Sequence, residues 1–256
     1  MPHRVVPLLL ASLLLGACAS QTPSDPAYAR YLRLGDDLAS RGDPVSAASL
    51  YDKATQLPGA GLEAWLKLGQ ARLAAQDPSG AERAYQQALN DAPDNADALL
   101  GLGTAQLRLG RYERAVISLT QAADRGNQPQ AWSRLGVAQV LRGQTSPAQA
   151  AFEKARTLQP QNLDTQCNLA LAQALGGQPD AAMQGIRAVT QSPRVLPRHQ
   201  RNALLVAVLA GRESALGELS LDQLTAAQRQ GLLEQARQIK ALADPAAQAR
   251  AMGLVD

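Results

Sequence analysis

Large rings are what this chain has least of: its 256 residues include two Trp, five Tyr and one Phe, against a hydrophobic content of 46%. A core with so few aromatics must be filled by Leu, Val and above all Ala, which points to closely packed helices and argues against an aromatic-rich sandwich. The same scarcity argues against a nucleic-acid binder that stacks bases on rings. Charge of one sign is lacking too. With a formal net charge of +3, composition announces no basic face, and nucleic acid is not expected as a partner. Catalytic groups are equally sparse. Past the first residues there is one histidine, His199, and there is no His-Glu-x-x-His, no Cys-x-x-Cys, no Gly-rich loop followed by Lys-Ser or Lys-Thr, and no Gly-x-Ser-x-Gly. The expectation is a protein that is not an enzyme and takes no cofactor, metal or small-molecule substrate. Asp36, Asp37, Asp91, Asp94 and Asp97 read as helix caps and solvated groups. His199, flanked by Arg198 and Arg201 with no carboxylate close in sequence, reads as a surface residue at a helix start.

Long apolar runs are also missing. Val5 to Leu15 is interrupted by Pro7 and Ser12 and is well short of the ~20 residues that cross a bilayer as a helix. Behind Arg4, it reads as a signal peptide over residues 1–17. Leu15-Gly16-Ala17-Cys18 resembles the lipobox of bacterial lipoproteins, in which the cysteine is diacylated and becomes the new N-terminus. Ala17-Cys18-Ala19 also fits ordinary cleavage after Ala19, so that alternative stays open beside the favoured lipidation of Cys18. The lipoprotein resemblance implies a membrane tether at Cys18, and Ala19 in place of Asp implies the periplasmic face of the outer membrane rather than the inner. Each buried methylene contributes ~0.8 kcal/mol, so several chains on one residue hold a protein to the membrane durably. Residues 18–27 form a polar tether. With Cys18 consumed, Cys167 has no disulfide partner and reads as a packing residue.

What is present is a repeat. Gly35, Gly69, Gly103 and Gly136 recur at steps of 34, 34 and 33, and Gly42, Gly110, Gly143, Gly177 and Gly211 form a second series on the same step. Trp65, Leu68, Gly69, Ala81, Tyr85, Ala88 and Pro93 recur as Trp132, Leu135, Gly136, Ala148, Phe152, Ala155 and Pro160, and in part as Tyr31, Leu34, Gly35, Ala47, Tyr51 and Ala54. This pattern resembles the tetratricopeptide repeat. The resemblance implies an all-α superhelical solenoid of antiparallel helix pairs, each with apolar faces that the next pair must cover. Glycine in the first series would let helix A approach the aromatic of helix B, and glycine in the second would end helix A in a left-handed conformation. Five units are expected from Tyr28, Leu62, Ala96, Pro129 and Leu163, with a degenerate sixth, so that the solenoid covers 28–211 and capping helices cover 212–256. Within the cap, Leu221 to Leu242 reads as one helix, and Asp244-Pro245 as the capped start of a last short one.

By the same resemblance, the inner faces of the A helices line a partner-binding groove. Its fifth positions are Leu32, Leu66, Leu100, Ser133 and Cys167, its ninth Asp36, Gln70, Thr104, Val137 and Leu171, and three of its twelfth Leu73, Leu107 and Val140. That lining is apolar with polar dots, suited to an amphipathic segment, although part of the stripe could equally be packing within the solenoid. From Ala181 to Arg212 the chain has no acid but has Arg187, Arg194, Arg198, Arg201 and Arg212, which reads as a basic patch or a solvated face. Arg198, Asn202, Leu205, Leu209, Ala210 and Gly211, with the lipobox and five units before them, resemble the TadD family of tetratricopeptide lipoproteins of the tight-adherence (Flp-type) pilus. Gln200 and Arg201 stand in swapped order, and Arg212 stands where that family has an acid. The resemblance implies a scaffold that helps the outer-membrane secretin of the pilus to localise or assemble. The alternatives are a scaffold for another envelope complex, such as the pilotin of another pilus or peptidoglycan machinery, and, remotely, an enzyme.

Overall fold

The computed structural model describes residues 26–253, and all regular structure among them is helical. Five hairpins follow one another: α1 (Pro26–Ser40) with α2 (Pro44–Thr55), α3 (Leu62–Ala74) with α4 (Pro78–Asp91), α5 (Ala96–Arg108) with α6 (Tyr112–Gly126), α7 (Pro129–Leu141) with α8 (Thr145–Leu158), and α9 (Leu163–Leu175) with α10 (Pro179–Thr190). α11 (Pro197–Leu209), a 3-10 helix (Glu213–Glu218), α12 (Ala226–Lys240) and α13 (Pro245–Ala251) complete the chain. The start sites are written locally. Asp43, Asp77, Asn95, Asn162 and Asp244 each accept the backbone N–H three residues on, at 2.8 to 3.1 Å. Proline follows all three aspartates, where a missing N–H leaves no hydrogen bond unmade. The five carboxylates expected as caps and solvated groups are all exposed, and among them Asp37 pairs with Arg41, Asp94 with Arg125, and Asp97 accepts from Gln128.

The A helices end as the second glycine series requires, with Gly42, Gly110, Gly143, Gly177 and Gly211 at φ between +69° and +79°. The step that the series skips falls on Gln76, which adopts φ +59° in the same place. A left-handed conformation there costs a residue with a Cβ about 1–2 kcal/mol.

The first glycine series sets the distance between the helices of each hairpin. A Cβ on Gly35, Gly69 or Gly136 would come within 2.5, 2.7 and 2.6 Å of the rings of Tyr51, Tyr85 and Phe152. In the third hairpin Leu119 takes the ring's place against Gly103. In the fifth the small residue changes helices: Ala170 on α9 keeps its Cβ and meets Gly185 of α10. Trp65 and Trp132 each pack against two separate core clusters, so these rings join one hairpin to the next. Alanines fill most of the remaining core, which is how the chain buries its helices with so few rings.

The C-terminal region departs from the repeat. A helix from Leu221 is expected, but α12 begins at Ala226, because Leu221 and Leu224 are buried and the fully buried Gln200 binds the preceding turn. Its Nε2 donates to Asp222 Oδ1 at 2.8 Å and its Oε1 accepts the Gln223 N–H at 3.0 Å. Thr225 and Gln228 then cap α12 reciprocally. α13 turns back onto the fourth hairpin: Ala249 is buried in the cluster of Leu135 and Leu141, and Arg250 Nη1 donates to the Leu141 carbonyl at 3.2 Å.

Candidate binding groove

The stacked A helices α3, α5, α7, α9 and α11 each meet the next along one side of the solenoid. On this inner face the residues expected to line a groove divide into two sets. Asp36 and Gln70 are exposed, and Leu66, Leu73, Leu100, Ser133 and Val137 are half-buried, so these seven are open to a partner. Leu32, Thr104, Leu107, Val140, Cys167 and Leu171 are buried and are not. Sequence spacing alone could not make this division, because it depends on what else packs there. Leu107 and Val140 share a cluster with Ala249 of the returning α13, while Cys167 and Leu171 are covered by Ala203, Val206 and Ala207 of α11. Thr104 turns its hydroxyl back to the Leu100 carbonyl at 2.7 Å. The open stretch therefore belongs to the first four hairpins.

Polar groups missed by the groove positions matter more than those they include. Asp36 accepts the Tyr51 hydroxyl and the Lys67 ammonium, both at 2.7 Å. Partial burial pushes its carboxyl up, but the hydrogen bonds from Lys67 and Tyr51 and the charge of Lys67 outweigh that and hold it below the usual carboxylate range. The arrangement borders a cavity of about 290 Å³ with Gln70, Ala39 and Ala74. Further along, Arg108 Nη1 donates to the Leu73 carbonyl at 2.6 Å. Arg134, on α7, is exposed. Desolvation, and then the like charge of Arg108, hold its guanidinium below its ordinary value.

His199 is buried, not at the surface, and a carboxylate does orient it, from one repeat upstream. Its Nδ1 accepts the Leu196 N–H at 3.0 Å, which makes Nε2 the protonated nitrogen facing Asp164 at 3.0 Å. Asp164 also takes two hydrogen bonds from Arg198, at 2.9 and 3.0 Å. The Arg198 hydrogen bond is the main reason its carboxyl lies below the usual range. With Nδ1 committed to the backbone, His199 anchors the start of α11 and has no free lone pair for a general base. The nearby Cys167 thiol is pushed up to about 12, chiefly by burial and then by the charge of Asp164, so it is protonated and inert at neutral pH.

The acid-free stretch is largely neutralised by its neighbours. Arg187 pairs with Glu218, Arg198 with Asp164 and Arg212 with Asp180, while Arg194 and Arg201 have no acid partner among the described residues. Each partner lies about one repeat away in sequence, which stacking converts into contact. Cys18 lies outside the described residues. Among the described residues no group of three or more His, Cys, Asp or Glu is placed to hold a metal ion, and no helix is long and apolar enough to cross a membrane.

Stacked helix hairpins with an open inner face define a solenoid scaffold for protein partners. The tetratricopeptide repeat pattern matches residues 32–88, 66–131 and 107–162, an unbroken half of the chain, and the protein belongs to that family. Among solved structures the fold is similar to PilW, a widely conserved type IV pilus biogenesis factor, with a TM-score of 0.70, 19% identity, and coverage of 82% of this chain and 98% of that one. It is also similar to the pilF protein of Pseudomonas aeruginosa, with a TM-score of 0.65, 20% identity, and coverage of 83% and 99%. The CTR9 homolog of Arabidopsis thaliana is 28% identical over 122 residues, which are 47% of this chain and 11% of that much longer protein.

Proposed function

We propose that this protein is a lipid-anchored adaptor on the periplasmic face of the outer membrane, which assembles or localises the tight-adherence pilus apparatus through its secretin. The observation that carries the reading is a solenoid that spans nearly the whole of a type IV pilus biogenesis factor of like fold and keeps an open, mainly apolar inner face over four hairpins. The lipobox-like Leu15 to Cys18 and the TadD-like residues from Arg198 to Gly211 support the tight-adherence system. In mechanism, the groove around Leu66, Leu100 and Val137 takes an amphipathic segment of the partner, and the anchor at Cys18 confines the complex to one membrane, which raises its effective concentration there. The protein acts by binding and not by catalysis.

A photo-crosslinker placed at Leu100 or Val137 in the full chain is expected to capture the secretin or another pilus component. Cys18→Ala is expected to leave a folded protein that no longer supports piliation. Normal piliation by an unlipidated variant would sink the anchored mechanism. Capture of peptidoglycan enzymes would move the protein to another envelope complex.

A further inference from the structure

One leucine of the repeat has nothing packed over it. Leu68, Leu102, Leu135 and Leu169 hold the same position in successive units, are 1 to 8% exposed, and sit in clusters to which the preceding hairpin contributes. Leu34 holds that position in the first unit and is 47% exposed. No described residue precedes α1 to cover it. Tyr31, in the position of the hairpin-joining Trp65 and Trp132, packs against one cluster where they pack against two.

Cations and not acids surround this end of the solenoid. Arg33 precedes Leu34, Arg30 stands one helical turn before it, and both are exposed. The guanidinium of Arg30 and the ammonium of Lys53, on α2, lie 5.6 and 6.0 Å from the centre of the Tyr31 ring. None of these three cations pairs with a described acid. The acids of the first hairpin are engaged elsewhere: Asp36 by Lys67, Asp37 by Arg41, Asp52 by Arg72, and Asp43 as the cap of α2.

An exposed leucine and a tyrosine flanked by three unpaired cations match an anionic phospholipid surface, where apolar groups enter the headgroup boundary and cations meet phosphate. A second copy of the chain fits badly, because a two-fold contact through Leu34 sets Arg30 and Arg33 against their own like charges. Position favours the lipid as well. Cys18 stands eight residues before Pro26, and a chain of that length spans at most about 28 Å when fully extended. An anchor at Cys18 therefore keeps the start of α1 within that distance of the membrane. Asp36, two residues past Leu34, points about 200° around the helix, so the groove stays open while the Leu34 face is covered.

We propose that the Leu34 face of α1, with Arg30, Tyr31, Arg33 and Lys53, rests on anionic phospholipid of the membrane that holds Cys18, so that the solenoid stands on its first hairpin. This rests on the lipid-anchored reading of Cys18 and not on the identity of the pilus partner.

The test uses the natively processed full chain purified from membranes, with intact mass reading the acyl chains on Cys18. Leu34→Cys carries the environment-sensitive dye NBD, which reaches position 34 alone because Cys18 is acylated and Cys167 is buried. On vesicles of phosphatidylcholine with about a quarter phosphatidylglycerol, the emission is expected to shift to the blue and brighten several-fold. On phosphatidylcholine alone, or with Arg30→Gln and Arg33→Gln together, the change should fall several-fold. The same dye at Ile117→Cys, a position 61% exposed on α6, should report water throughout. A dye at 34 that stays in water, a change equal on the two lipids, an equal change at 117, or a change that needs no lipid and grows with protein concentration overturns the docked face. An unacylated Cys18 overturns it together with the anchor. Crosslinking from Leu100 and Val137 reads the adaptor role separately, so a failed face leaves that role standing, and a failed pilus partner leaves the dye signal measurable.

Discussion

Replacing Gly101 by Ala should destabilise this protein by about 2 kcal/mol, although the same change in an open helix position helps. In a free helix interior Ala is favoured over Gly by about 1 kcal/mol. At 101 the new Cβ would lie 2.2, 2.3 and 2.6 Å from three carbons of the Tyr85 ring. The ring cannot retreat, because its other side is set against Gly69, where a Cβ would meet it at 2.7 Å. Overpacking of a close-packed site costs about 1–3 kcal/mol, and a ring wedged between two glycines belongs at the upper end, leaving a net loss after the propensity gain. Chemical denaturation followed by circular dichroism measures it. Gly231→Ala in α12, where a Cβ meets nothing within 4 Å, is the internal control and should gain about 1 kcal/mol. In a double-mutant cycle, Tyr85→Leu should relieve most of the cost at 101. A Gly101→Ala protein as stable as wild type, or an equal cost in the Tyr85→Leu background, refutes the wedge.

Gln76→Gly supplies the residue that the left-handed end of α3 calls for and should raise stability by about 1 kcal/mol, read as an upward shift of the denaturation midpoint; a downward shift refutes the strain assigned there. Asp164 has a folded-state pKa below its unfolded value, so its contribution is complete above the ordinary carboxylate range and is lost as pH falls through the folded value. The stability difference between wild type and Asp164→Asn should therefore be full at pH 7 and close as pH falls below about 4; a pH-independent difference contradicts the linkage. Cys167, with its thiol pushed up to about 12 and buried, should resist iodoacetamide at pH 8 in the native protein and react on unfolding, checked by intact mass; rapid native labelling would show the site to be open.

The repeat was legible because its signals are local. Glycines spaced by 34 residues, rings offset from them by 16, and Asp-Pro pairs report backbone conformation and near-neighbour packing, and each falls where the helices require it. The candidate site was legible only in outline. Spacing put Leu107, Val140, Cys167 and Leu171 on the inner face, but their exposure depends on α11 and on an α13 that folds back across more than a hundred residues. Tyr51 and Lys67, which hold Asp36, went unnoticed as groove groups because they stand outside the fifth, ninth and twelfth positions. An acid with a cation 31 residues on, as Asp36 and Lys67 stand, was the signal that could have found the pair.

The sequence by itself determined the helix pairs, their register and the close approach within each hairpin, since those follow from residue size and backbone freedom over a single repeat. Tertiary structure alone decided which charges are spent. Asp164, Asp180 and Glu218 reach Arg198, Arg212 and Arg187 only because successive hairpins stack, whereas Arg194 and Arg201 in the same stretch pair with no acid among the described residues. Attraction between charges depends on distance and desolvation, which a repeat period fixes only once the units are wound against one another.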